Sequence, residues 1–172
     1  LANLVSSRVR TIAFIKSRRG AETIATITKR LLDEVDPSLP QRVAAYRSGY
    51  LPEERRALEK SLRSGELLGV SSTSALELGI DISGLDAVLV AGWPGTRASL
   101  FQQIGRAGRA GQDAIATFVA SDDPLDTYLV HHPAALLDKP IERVVIDPGN
   151  PYVLGPQLLC AATELPLTAA EV

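Results

Sequence analysis

Arg10-Thr11-Ile12-Ala13-Phe14-Ile15 is followed at helical spacing by Ile24, Ile27, Thr28, Leu31, Leu32 and Val35, and then by Arg42-Val43-Ala44-Ala45-Tyr46. The first and last segments are rich in β-branched and apolar residues and read as buried strands. The positions between them follow the i, i+3, i+4, i+7 template of an amphipathic helix, which Pro37 stops. Strand, helix and strand at this spacing predict a right-handed crossover, hence a parallel sheet covered on both faces. The alternation continues outward: residues 67–71, 87–91 and 114–120 read as three more largely buried strands. Pro52 suits the first position of a second helix, where its missing N–H costs nothing, Glu53 and Glu54 complement the positive helix end, and Gly65 closes it. The fold class is therefore α/β. In such sheets ligands gather at the carboxyl ends of the strands, so function is expected in the strand-to-helix loops.

From Pro124 onward the character changes, with Pro133, Pro140, Pro148, Pro151, Pro156 and Pro166 punctuating the tail. A domain edge is placed near residue 136, which gives a sheet domain over 1–135 and a Pro-rich C-terminal extension over 136–172. Within that extension residues 157–164 are short, apolar and Ala-rich, and read as the start of a further helical domain. A length of 172 residues with 45% apolar content suits one domain plus the edge of another. No apolar run approaches the roughly 18 residues of a membrane span, so no membrane partner is expected. The single cysteine, Cys160, excludes an internal disulfide and a cysteine-based zinc cage, and it is compatible with a reducing, cytoplasmic location. No metal is expected to be bound by these residues. A chain that starts at Leu1 and contains no methionine reads most simply as a piece of a longer protein. Net charge is −2, but residues 1–63 hold 13 Lys/Arg and 7 Asp/Glu (net +6), while the remainder holds 5 and 13 (net −8). The basic half can face phosphate or simply be a set of solvated helix faces.

The densest chemistry lies in Gln102-Gln103-Ile104-Gly105-Arg106-Ala107-Gly108-Arg109, expected at the end of a helix that starts near Arg97. On a helix, Arg106 and Arg109 at i, i+3 would share one face, and their forks would reach oxygens of one phosphate chain with a geometry lysine lacks. A glycine inside a helix costs about 1 kcal/mol relative to alanine, so the rhythm of Gly105 and Gly108 asks for a close approach to some neighbour. The bland reading is a glycine-loosened surface helix, and a nucleic-acid-clamping GxxG loop is a third. In Ser72-Thr73-Ser74-Ala75-Leu76-Glu77-Leu78-Gly79-Ile80-Asp81, Thr73 at a strand end can donate to a phosphate oxygen. Gly79 permits a tight turn, and Asp81 can accept from a sugar hydroxyl or hold the arginines. Alternatively Thr73 caps the next helix and Asp81 a turn.

Gln102-x-x-Gly105-Arg106-x-x-Arg109 resembles motif VI of superfamily 2 helicases, and the other motifs of their second RecA-like domain stand in order. Residues 11–18 resemble motif IV, and the resemblance implies nucleic-acid backbone contacts at Ser17 and Arg18. The stretch from Tyr46 to Arg56 resembles the following loop and helix, which implies phosphate contacts at Arg47 and Ser48. Residues 72–81 resemble motif V, with Thr73 on nucleic acid and Gly79 and Asp81 toward nucleotide. Residues 150–167 are similar to the segment after the helicase core in YprA-type DNA helicases. That resemblance implies a RecA-like sheet with helices on both faces, Arg106, Arg109 and Gln102 completing a nucleotide site with Gly105, and single-stranded or partly duplex DNA as partner. It also implies an upstream RecA-like domain of the same chain that holds ATP and Mg2+, and a downstream zinc module. An RNA helicase of the same superfamily, or a non-catalytic binding module on this scaffold, are the alternatives.

No G-x-x-x-x-G-K-[ST] loop is present, so these residues are not expected to hydrolyse ATP alone. Asp33-Glu34-Val35-Asp36 imitates a magnesium-binding carboxylate pair, yet falls at the polar end of a helix and reads as a solvated terminus. His131-His132 lacks a converging carboxylate or cysteine cluster and reads as a helix-end pair. Trp93 either stacks on a base or packs in the core, and Cys160 reads as buried. Arg55 and Arg56 read as phosphate contacts or as partners of nearby helix carboxylates.

Overall fold

A computed structural model describes residues 1–76, 85–108, 112–143 and 145–168. Five strands form one sheet in the order β2-β3-β1-β4-β5, comprising β1 (Thr11–Ile15), β2 (Val43–Tyr46), β3 (Gly69–Ser72), β4 (Ala87–Ala91) and β5 (Ile115–Val119). All four pairings are parallel. The sheet of the RecA-like class is thus the one expected, each strand falling within two residues of its sequence reading.

Period-two alternation divides the strands between two cores. Val43 and Ala45 of β2 join Ala25 and Leu32 of α2 (Arg18–Asp33) and Val5 of α1 (Ala2–Ser6) on one face. Ile12, Phe14, Val70, Val88 and Val90 point to the other face. There they meet Leu62 of α3 (Pro52–Arg63), Leu100 of α4 (Arg97–Ile104), Leu129 of α5 (Pro124–His131) and Leu136 of α6 (Pro133–Leu137).

Three details depart from the sequence reading. In α2 the buried residues are Ala21, Ala25, Thr28 and Leu32, whereas Ile27 and Leu31 are 40% and 42% exposed and Val35, past the end of the helix, is 70% exposed. Small residues bring the helix close to the sheet, close enough for Ser71 Oγ to donate to the Ala21 carbonyl at 2.5 Å. The strand β5 is not buried: among the described residues it has a neighbour on one side only, and Ile115 and Val119 stand 57% and 48% exposed. Finally α4 stops at Ile104, with Gly105 as its C-cap.

The compact unit runs from Leu1 to Glu142, and residues from Arg143 to Val172 form a second. The tail edge read from the proline pattern stands near residue 136; Glu142 ties the intervening stretch to α4 by accepting from the Arg97 and Ala98 amides at 2.7 and 3.1 Å. The second unit holds α7 (Pro151–Glu164), capped by Asn150. None of its residues is buried, and Cys160 is exposed rather than buried, because no core forms around this helix among the described residues. No helix among the described residues is long and apolar enough to cross a membrane.

Candidate nucleic-acid and nucleotide interface

The register fixes where the functional loops emerge. Ser72 pairs with both Tyr46 and Phe14, and Ile15 with Ala91, so the carboxyl ends of β2, β3, β1 and β4 align along one edge. Ser17, Arg47, Ser48 and Thr73 all follow those ends directly and therefore share that edge, with Arg18 opening α2 beside them.

Ser17 has a structural duty there: its Oγ accepts from the Gly20 amide at 3.0 Å and caps α2. Arg18 and Ser48 are exposed. Arg47 is held by two partners that the sequence reading missed. Its Nε donates to Glu22 Oε1 at 2.7 Å, and its guanidinium lies 4.7 Å from the centre of the Tyr50 ring. The Tyr50 hydroxyl donates to the same Glu22 oxygen at 2.7 Å. The Tyr50 and Arg47 hydrogen bonds hold the Glu22 carboxyl below its usual range, while burial and Glu22 push the Tyr50 phenol up to about 12. The hydrogen bond to Glu22 also raises Arg47 above its ordinary value. Thr73 is 9% exposed, and its Oγ1 accepts from the Ala75 amide at 3.4 Å, beyond the usual 2.7–3.2 Å range for N–H donors. The capping alternative for Thr73 is therefore present only as a long, weak bond.

The glutamine, glycine and arginine motif lies elsewhere. The chain leaves β4 at the carboxyl edge and returns along α4, so Gln102, Gly105 and Arg106 arrive near the start of β4. Leu85, just before that strand, bridges to Ala107, and its carbonyl accepts from the Gly108 amide at 2.8 Å. The helix ends before Arg106, so Arg106 itself does not sit on the helix where the sequence reading put it. Gly108 then turns the chain with φ +86°, a conformation that favours glycine over L side chains. Gln102 is exposed at the end of α4, and Arg106 is half-buried. Arg109, Gly79 and Asp81 lie outside the described residues.

Several smaller readings also find their places. Asp36 pairs with Arg8 at 3.1 Å beyond the end of α2, as a solvated helix terminus would. His131 and His132 each meet a carbonyl of the preceding turn through Nδ1, and His132 stacks on Tyr128. Arg56 pairs with Glu53, and Glu59 accepts from the Tyr46 hydroxyl at 2.8 Å. Among the described residues no cluster of three His, Cys, Asp or Glu side chains is placed to hold a metal.

Asp126 is the buried polar residue that no sequence signal marks. It is fully buried in the first turn of α5, and it accepts from the Trp93 amide at 2.9 Å, from the Ser121 amide at 2.8 Å and from the Ser121 hydroxyl. Burial alone would raise its pKa, but the hydrogen bonds from Ser121 and Trp93, with Lys16 nearby, keep the carboxyl below its usual range. In sequence it is one acidic residue near a helix start, indistinguishable from an ordinary dipole partner.

Comparison with known proteins places this geometry. Residues 1–111 match the helicase conserved C-terminal domain. The chain is 41% identical over 167 residues to the ATP-dependent helicase YprA of Bacillus subtilis, covering 97% of this chain and 22% of that protein. It is 42% identical over 172 residues to the ATP-dependent helicase HRQ1 of Saccharomyces cerevisiae, covering 97% of this chain and 16% of that protein. The crystal structure of the helicase MrfA bound to DNA and AMPPNP superimposes with a TM-score of 0.89 at 40% identity, over 99% of this chain and 24% of MrfA. The chain thus spans less than a quarter of the length of each of these proteins. On its sequence match, its parallel sheet and its motif order, the chain belongs to the helicase conserved C-terminal domain family of superfamily 2.

Proposed function

We propose that this chain is the second motor domain of an ATP-dependent DNA helicase or translocase, working with an upstream RecA-like domain that holds ATP and Mg2+. The observation that carries the proposal is the separation of two residue sets onto opposite edges of one sheet. Ser17, Arg18, Arg47, Ser48 and Thr73 stand at the carboxyl edge, while Gln102, Gly105 and Arg106 stand at the start of β4. A motor domain needs both surfaces: one grips a phosphodiester backbone without reading bases, and the other offers arginine to a nucleotide held by a partner domain. In this reading Arg106 and Arg109 stabilise charge that develops on the transferred phosphoryl group, and Gln102, Gly79 and Asp81 are assigned to the same nucleotide. ATP supplies the phosphoryl chemistry. Loss of the γ-phosphate releases the arginines, the domains part, and the backbone grip alternates. The names of YprA and HRQ1, and the DNA and AMPPNP bound to MrfA, support this assignment.

The test is a double dissociation in the full-length protein. Arg106→Ala and Arg109→Ala should each lower kcat of DNA-stimulated ATP hydrolysis by about 10³, as loss of a charge-stabilising finger does. Both should leave single-stranded DNA affinity within about twofold, since phosphate contacts lie at the other edge. Thr73→Ala should do the reverse, weakening DNA binding and stimulation while the DNA-independent ATPase persists. If both classes of variant lose the same parameter, the two-edge assignment fails.

A further inference from the structure

The carboxyl ends of β1 and β4 flank a crevice with a cavity volume of about 380 Å³, lined by Lys16, Ser74, Gly92, Trp93 and Ser99 among others. That volume lies within the range of about 300–1,000 Å³ typical of small-ligand clefts. It is continuous with the edge assigned to the backbone grip, and it holds Trp93, for which the sequence left base stacking and core packing open. Two of its residues carry complementary chemistries for a nucleotide. Lys16 is exposed, and its ammonium makes no hydrogen bond or ion pair among the described residues. Trp93 is half-buried, partly packed on the core and partly lining the crevice.

Both are set by their surroundings. Gly92 has φ +77°, and a Cβ there would fall 2.8 Å from Lys16 Cε, 3.0 Å from Lys16 Nζ and 3.2 Å from Asp126 Oδ2. The missing side chain therefore lets the lysine stem lie across the end of β4 with its charge beside Asp126. Asp126 holds the other wall through the Trp93 amide and fixes the end of β5 through Ser121. This buried carboxylate comes from α5, beyond residues 1–111 that match the helicase domain.

We propose that the crevice seats one nucleotide of a single DNA strand, with its phosphate on Lys16 and its base on Trp93, and that Asp126 is the positioning residue of this seat. The inference rests on the DNA-grip reading above and extends it across β4. A lysine gives a point charge to a phosphate, and an aromatic face stacks on any base, so the seat would be indifferent to sequence.

Trp93 is the single tryptophan of the chain, so its emission reports on this crevice alone. The experiment titrates the chain with fluorescein-labelled oligothymidylate, following anisotropy and tryptophan emission at several salt concentrations. The seat predicts that emission is quenched in step with the rise in anisotropy. Lys16→Ala should lower the slope of log affinity against log salt by about 0.7, the value for one phosphate on a single strand, and Lys16→Arg should restore it. Asp126→Asn should weaken binding several-fold and shift the Trp93 emission maximum, while a thermal melt reports whether the variant folds. If Asp126→Asn does not fold, the exposed Lys16 variants still decide the matter. DNA binding with unquenched tryptophan and an unchanged slope in Lys16→Ala overturns the seat and leaves the grip reading standing. No rise in anisotropy for the unsubstituted chain overturns the grip reading, and the seat with it.

Discussion

At the scale of single residues, the arrangement around Arg47 shows how a phosphate contact is prepared. The Glu22–Arg47 pair is 44% and 30% exposed, and ion pairs of that kind contribute only about 0–1 kcal/mol to stability. Its consequence is orientation. Glu22 occupies Nε, Tyr50 covers the guanidinium face and Nη1 reaches the Ser48 carbonyl at 3.4 Å, so Nη2 is the nitrogen turned to a phosphate oxygen, with Nη1 joining it only by giving up that long bond. Glu22→Gln keeps an acceptor oxygen but removes the charge. We expect the Tyr50 phenol, now pushed up to about 12, to move back toward its ordinary value, which an ultraviolet phenolate titration would detect. An unchanged titration would show that burial alone sets the phenol. Neither Glu22 nor Tyr50 was legible as a site residue, because Glu22 belongs to an ordinary polar helix face in sequence. Arg47 itself was legible, since it follows a strand directly and precedes a turn.

At the scale of elements, helix beginnings carry double duty. Ser17 is both a candidate backbone contact and the N-cap of α2, a helix of 16 residues whose buried side brings Ala25 and Leu32 to one core. Ser17→Ala should therefore lower stability by about 0.5–2 kcal/mol in urea denaturation, the usual cost of a lost cap. A variant with unchanged stability would assign the hydroxyl to DNA alone. The start of α4 is closed by Thr96, which accepts from the Ser99 amide at 3.1 Å, and by Glu142 from far along the chain. Backbone donors from Arg97 lead the causes that hold Glu142 below its usual range. Glu142→Gln should lower Tm slightly by removing its charge from the helix start and from the Arg97 guanidinium at 3.7 Å, and the difference should shrink at high salt; an equal effect at all salt concentrations would point to hydrogen bonding instead. Strands and helices were readable because period-two and period-3.6 patterns are local. The end of α4 was not, because the continuing glycine and arginine rhythm fits a helix while Leu85 pairs with the chain at Ala107 and draws it out. The exposure of β5 was hidden for a related reason: strand apolarity does not reveal whether a strand has one neighbour or two. The link from Glu142 to α4 spans 45 residues of sequence, a distance at which no periodicity speaks.

For the whole molecule, the same buried and bridged groups set the pH limits of the fold. Asp126 titrates below its usual range in the folded chain, against about 3.9 when unfolded. Its contribution is thus fully present above the unfolded value and is lost as pH falls through the lower folded value, because protonation must break its role as acceptor from Ser121 and Trp93. Glu22 and Glu142 shift in the same direction and steepen the acid limb. The alkaline limb has the opposite sign. Tyr46, pushed up to about 12 first by burial and then by its bond to Glu59, favours folding below its unfolded value of about 10 and loses that contribution as pH rises through the folded value. Thermal melts should therefore give a plateau across neutral pH, with Tm falling on the acid side below about 4 and on the alkaline side above about 10. Tyr46→Phe should make the alkaline fall shallower, leaving the part set by Tyr50, without moving the acid one, and Asp126→Asn should make the acid fall shallower, leaving the part set by Glu22 and Glu142. Because the two residues lie on opposite sides of the titration curve, a variant that flattens both limbs would indicate a change in the unfolded chain, not the loss of a specific proton-linked contact.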